Sequence, residues 1–268
     1  MRFRLFCQMF FFGLAAAAAP GLSHEFWIAP EKYQAPSGAP LIARLRNGEH
    51  FMGAEQPYLS HRIARFDLIS SRGAERYEGR SGDMPALQAG PVGDGLWLLL
   101  HQTEPQTIRY DNWDAFQRFT EEKEIRGIRS QHLARGLPEA GFSERYTRYA
   151  KSLVAIGGGT GRDRETGLET EFVALANPYT TYLNTIPVRL LYQGGPRPHV
   201  QVEVFARGPD GGVTRQTVET SDTGEAAIPV LPGHQYLLNA VVLRPAPEGE
   251  DAVWESLWAS LTFAVPGG

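Results

Sequence analysis

The chain of 268 residues carries 26 basic and 30 acidic side chains, a net charge of −4, and one cysteine. That mild acidity argues against nucleic acid or an anionic membrane surface as a partner. The 29 glycines and 19 prolines are many for a helical protein and fit short strands joined by turns.

The first segment reads as a secretory signal. Arg2 and Arg4 precede an apolar run from Leu5 to Ala19, and Gly21 and Ser23 supply small residues before a cleavage point ahead of His24. Cleavage after Ala19 is the alternative, and it would leave a short tail in front of His24. The apolar run falls short of the roughly 20 residues that a permanent anchor needs. No later stretch is long enough, so the mature chain is expected in the periplasm without a membrane span. Its 26 basic residues would fall to 24 with the loss of Arg2 and Arg4, against 30 acidic ones, a net charge of −6. Cys7 would leave with the signal, so any metal site must use His, Asp, Glu, backbone or water.

Glu25–Ile28 opens the first half as a strand interrupted by Pro30, and Leu41–Leu45 alternates as a second. Arg62–Ile69 and Leu96–His101 follow, separated by a Gly-rich stretch from Gly79 to Gly95. Leu96-Trp97-Leu98-Leu99-Leu100 is apolar on both faces and predicts a central strand. From Asp111 to Glu124 the period changes, with Trp113, Phe116 and Phe119 at helical spacing and Asp111 as N-cap. A second helix is expected from about Glu144 to Ile156, with Tyr146, Tyr149, Ala150 and Leu153 on one stripe. It should stop at Gly157-Gly158-Gly159-Thr160-Gly161, which reads as a flexible linker rather than a nucleotide loop.

Strand patterning returns from Glu169. Val188–Tyr192, Val200–Phe205, Val213–Glu219, Ala226–Val230, Tyr236–Leu243 and Ser256–Ala264 alternate between turns such as Pro209-Asp210-Gly211 and Asp222-Thr223-Gly224. The expectation is a mainly β protein with two parts. Residues 24–180 form a β-sandwich-like domain with a two-helix insertion at about 111–156, and residues 181–268 form a second β-sandwich. Trp254 and Trp258, four apart, share one face of the last strand, and that face is expected to be core.

The second sandwich, with Gly195-Pro196, Val200–Val204, Thr220 to Gly224 and Leu231-Pro232-Gly233-His234-Gln235-Tyr236, resembles the carboxypeptidase-regulatory-like modules. That resemblance implies a transthyretin/Ig-like sandwich. The whole chain is similar to an exported bacterial family, a domain of unknown function often labelled as the periplasmic component of ABC-type cobalt or nickel uptake systems. The segments that carry this are His24-Glu25-Phe26-Trp27-Ile28, Gly48 to Gly53, Glu144 to Lys151, Glu171 to Tyr179 with Ala176-Asn177-Pro178-Tyr179, and Trp254 to Phe263. The resemblance carries His24 and Glu25 over directly and implies a divalent transition metal and a membrane transporter as partners.

A histidine exposed at a new N-terminus offers its α-amine and its imidazole Nδ1 to one metal ion, a pair suited to nickel, cobalt, zinc or copper. One further ligand is needed. His101, at the end of the central strand, His132, between the helices, and His50, beside Glu49 and Met52, are the candidates, with His61 ranked last. On a helix, Arg148, Tyr149 and Lys151 would make an anion or outer-shell site, although an amphipathic helix packing its tyrosines explains them as well. No Gly-x-Ser-x-Gly elbow or His-Glu-x-x-His motif is present, and no enzymatic activity is expected. The leading expectation is a periplasmic nickel- or cobalt-binding protein that supplies an uptake system. A cell-envelope binding module without metal, or a copper histidine-brace redox protein, are the alternatives.

Overall fold

The structure is a computed structural model that describes residues 24–181 and 184–267. The expected signal segment lies outside them. Strands take up 52% of the described residues and helices 8%, so the protein is mainly β. In chain order the first strands are β1 (Glu25–Pro30), β2 (Gln34–Ala35), β3 (Pro40–Glu49), β4 (Met52–Gln56) and β5 (Ile63–Ser70). Then come β6 (Gly73–Arg76), β7 (Leu87–Pro91), β8 (Gly95–Thr103) and β9 (Gln106–Tyr110). Helices α1 (Trp113–Glu122) and α2 (Ile128–Ala134) lead into β10 (Phe142–Ile156), β11 (Thr170–Ala174), β12 (Thr185–Tyr192) and β13 (Gly195–Pro196). The chain closes with β14 (Gln201–Arg207), β15 (Val213–Glu219), β16 (Glu225–Pro229), β17 (Gln235–Pro245) and β18 (Trp254–Ala264).

A ten-stranded sheet forms the middle layer of the molecule, in the order β15-β14-β17-β18-β10-β8-β5-β6 with β2 and β9 also paired to β10. Residues on one face of it, among them Leu98, Leu100, Leu153, Val204 and Leu261, pack against Phe172, Val188, Leu190 and Ile228 of the β11-β12-β16 layer. The opposite face places Phe66, Leu99, Ala150 and Val154 against Phe26, Ile28, Leu41 and Leu45 of the β1-β3 layer. Both faces of the middle sheet are therefore covered. This explains why Leu96–Leu100 has no polar alternation.

The two expected halves join in this sheet. β10 pairs in parallel with β18 over nine residues, from Glu144↔Trp254 to Ser152↔Thr262, while β18 pairs antiparallel with β17. The sheet is thus continuous across the boundary expected near residue 180.

The helix expected over Glu144–Ile156 is instead the fifteen-residue strand β10. Helical spacing of its tyrosines is incidental, because the polar residues read as a solvated face are buried. Glu144, Arg148, Lys151 and Ser152 are all at least nine-tenths shielded. The two helices of the insertion lie earlier, and Asn112 rather than Asp111 caps the first, its Oδ1 accepting from the Asp114 amide at 3.1 Å. Trp254 and Trp258 pack beneath α1 with Phe116 and Phe119, as core.

The stretch Gly157–Gly161, expected to be a flexible linker, is a pinned turn. Asn177 Nδ2 donates to the carbonyls of Gly159 and Gly161, and the Tyr179 hydroxyl donates to Leu153 O at 2.6 Å. The Asn177-Pro178-Tyr179 segment thereby clamps the end of β10.

Lys151, on the face of β10 toward β11, is 1% exposed. Its Nζ lies 3.2 Å from Asp163, 2.8 Å from Glu171 and 2.7 Å from the Phe172 carbonyl. A buried ammonium with two carboxylates is near balance, but removing one partner leaves uncompensated charge. Lys151→Met should lower unfolding stability by about 3–5 kcal/mol in urea titrations. A loss below about 1 kcal/mol would contradict this account.

Candidate functional site

β1 enters the molecule as the edge partner of β3, with Glu25 opposite Gly48. The β3–β4 hairpin turns through His50 and Phe51, both with positive φ (53° and 61°), between the paired residues Glu49 and Met52. Primed two-residue turns of this kind match strand twist but strain bulky residues. Here the strain is held by packing. The buried Phe51 ring meets Trp27 at 5.5 Å, and the Arg207 guanidinium covers it at 4.2 Å while donating to the Phe51 carbonyl. Gly48 and Gly53 border the turn because their backbones nearly touch. A Cβ on Gly48 would fall 2.1 Å from the Met52 carbonyl oxygen.

This hairpin sets Glu49 beside His24, with Nδ1 3.0 Å from Oε1 and both side chains partly exposed. The His50 amide donates to Glu25 Oε2 at 3.2 Å. His24, Glu49 and the His50 backbone therefore gather at the start of β1. The His50 ring packs edge-on toward Phe205, 6.1 Å away.

The other two expected ligands lie elsewhere. His132 is fully buried and both ring nitrogens are engaged. Trp254 Nε1 donates to Nδ1 at 2.9 Å, so Nε2 carries the proton and donates to the Pro138 carbonyl at 2.9 Å. Removed from solvent and from other ligating side chains, it holds the helical insertion onto β18. His101 is 2% exposed and sits between the Phe26 and Phe66 rings, each 5.1 Å away. Neither of its nitrogens has a hydrogen-bond partner. Burial brings its pKa down to about 3, so the imidazole is neutral.

Among the described residues, one group of three ligating side chains converges: Glu25, Glu122 and Glu203. Its centre is taken by the Lys123 ammonium, 3.1 Å from Glu25, 3.5 Å from Glu122 and 2.6 Å from Glu203. Asn239 Nδ2 and Arg215 also donate to Glu203. Burial pulls the Lys123 pKa down, but Glu203, Glu25 and Glu122 outweigh it and hold it above the usual lysine range. Burial pushes Glu25 above the ordinary carboxylate value despite Lys123. This is an occupied ion cluster tying β1, the end of α1 and β14 together. Nothing in sequence spacing points to Lys123, which meets Glu25 across 98 residues of chain.

The sequence profile of a family described as a domain of unknown function (DUF4198) matches residues 22–244. The chain belongs to this family. No curated protein compared with it matches. Among solved structures, the native conformation of E. coli alpha-2-macroglobulin aligns at 13% identity and a TM-score of 0.21, covering 91% of this chain and 14% of that one. Dimeric latent PorU from Porphyromonas gingivalis aligns at 11% identity and a TM-score of 0.19, covering 88% of this chain and 20% of that one. The chain thus spans a fifth or less of these proteins. At such scores the alignments carry no argument for DUF4198 function or fold. Among the described residues of this DUF4198 member, no helix is long and apolar enough to cross a membrane.

The neutral buried His101 has a consequence for acid stability. Its folded pKa of about 3 lies below the ordinary histidine value of 6.5, so the unfolded chain binds more protons between these values. The stability that a neutral His101 preserves is complete above pH 6.5 and is lost as pH falls toward 3. His101→Phe should flatten the stability–pH curve in this window, by up to about 1.4 kcal/mol per pH unit. Chemical denaturation at pH 4, 5, 6 and 7 checks this, and parallel curves for the two proteins would refute it.

Proposed function

We propose that this is an exported protein that binds a divalent transition metal at its processed N-terminus and supplies it to a membrane transporter. The observation that carries this reading is the approach of the His24 Nδ1 to Glu49, 3.0 Å apart at the partly exposed start of β1. If export leaves His24 first, the α-amine, the imidazole Nδ1 and the Glu49 carboxylate form a set of two nitrogens and one oxygen. Two ligands of one metal at bond lengths near 2 Å sit about 3 Å apart when mutually cis, which this pair satisfies.

The hairpin supports the reading because it holds the carboxylate in place before any ion arrives, reducing the ordering cost of binding. A small ligand number suits a carrier that must release its cargo. Imidazole, amine and carboxylate suit nickel, cobalt, zinc or copper(II), and the family resemblance selects nickel or cobalt among them. A copper brace calls for a second imidazole, and at His24 the neighbour is a carboxylate.

Titration of nickel into protein whose intact mass confirms a His24 start should give one site per chain. His24→Ala, or one extra alanine before His24, should weaken binding at least tenfold, and Glu49→Gln should weaken it about tenfold, with His61→Ala as the unaffected control. Equal affinity in the alanine-extended protein would remove the chelate from consideration.

A further inference from the structure

Among the described residues three cations are buried at nine-tenths or more: Lys123 at the end of α1, and Arg148 and Lys151 on β10. Both lysines are compensated by carboxylates at ion-pair distance. Arg148 is not. Its Nη1 donates to Asn47 Oδ1 at 2.6 Å and its Nε has no partner. Its guanidinium otherwise faces aromatic rings, with Tyr146 at 4.9 Å and Phe26 at 5.9 Å. Glu25 and Glu144 are the acidic groups that act on it electrostatically, yet neither pairs with it. Glu25 is bound to Lys123, and Glu144 accepts from Tyr110 at 2.7 Å and from Ser256. A buried, uncompensated guanidinium is costly, and structures retain one where something else completes it.

Arg148 lines a small, half-open pocket of about 100 Å³ between β1, β8, β10 and the loop before β5. Arg62 stands at the same pocket, and no Asp or Glu lines it. Beside the two guanidiniums, Phe26, Leu45 and Ile63 supply an apolar wall. His101, buried with both nitrogens unpartnered, belongs to the same lining, as does Thr103. The pocket therefore offers one sign of charge, an apolar surface and polar groups with unused hydrogen-bonding capacity, the mixture of a small-molecule site.

We propose that this pocket binds a small organic carboxylate, its head on Arg148 and its apolar body against Phe26, Leu45 and Ile63. A planar guanidinium fork matches a carboxylate in geometry as well as charge. The apolar wall distinguishes such a ligand from a bare inorganic anion, which would gain nothing from burial there. The pocket is separate from the His24–Glu49 pair in its lining residues, so the two assignments stand independently.

Calorimetric titration of the full mature chain with benzoate, benzamide and phenyl phosphate tests the assignment. Benzoate should bind at one site, and benzamide, alike in shape but uncharged, at least tenfold more weakly. Arg148→Gln should lose at least tenfold in benzoate affinity. Because that variant disturbs a buried position, Arg62→Glu at the exposed rim is the second test and should weaken benzoate at least fivefold with an unchanged melting temperature. Glu49→Gln should leave benzoate binding as it is. Absence of benzoate binding, equal binding of benzamide, or affinity unchanged in both arginine variants would overturn the proposal. Binding of phenyl phosphate without benzoate would overturn the carboxylate assignment.

Discussion

Covering the middle sheet on both faces is the constraint on which this molecule depends. Strands β8, β10, β17 and β18 are covered on both faces along most of their length, so the polar side chains they carry there depend on partners inside the protein. The parallel pairing of β10 with β18 closes the sheet through its centre and forces the chain to travel far before returning. Hydroxyls on the shared strands attach the outer layer: Ser260 donates to the Phe26 carbonyl at 2.8 Å and Thr262 to that of Ile28 at 2.7 Å. β1, and with it His24, is thereby placed by the last strand of the chain.

Charge inside such a sheet has structural and functional uses that can be told apart by what surrounds it. Lys151 binds the β11 layer through two carboxylates, and Lys123 binds β1, α1 and β14 in the same way. Glu144 solves the problem differently. Burial raises its pKa to about 7, with Ser256 and Tyr110 donating to it. Arg148 has none of these solutions and borders space instead. The opposing exposed edge, at His24 and Glu49, has water available and a carboxylate already placed. Both candidate sites therefore lie on the β1 side of the middle sheet, one at its rim and one beneath Phe26.

Much of the strand order was legible because alternation and turn residues survive in the primary pattern. Val213–Glu219 is reproduced at both ends, and Leu96–Leu100 announced a two-sided strand by its unbroken apolar run. β10 was not legible, for a physical reason. A strand buried on both faces need not alternate, and its Glu144, Arg148 and Lys151 imitate the polar face of an amphipathic helix. The surroundings of the histidines were not legible either. His132 and His101 have the same residue chemistry as His24, but one is enclosed by Trp254 and Pro138 and the other by two phenylalanine rings.

Taken alone, the sequence determined a mainly β chain, its turns, the helical stretch around Phe116, and a histidine preceding the first strand. These are local properties, set by side-chain periodicity and backbone preference over a few residues. The tertiary structure decided which charges are compensated, which histidines are enclosed, and that Glu49 meets His24. Those outcomes depend on strand pairing between distant segments. Burial and partner geometry arise only when the layers close on one another.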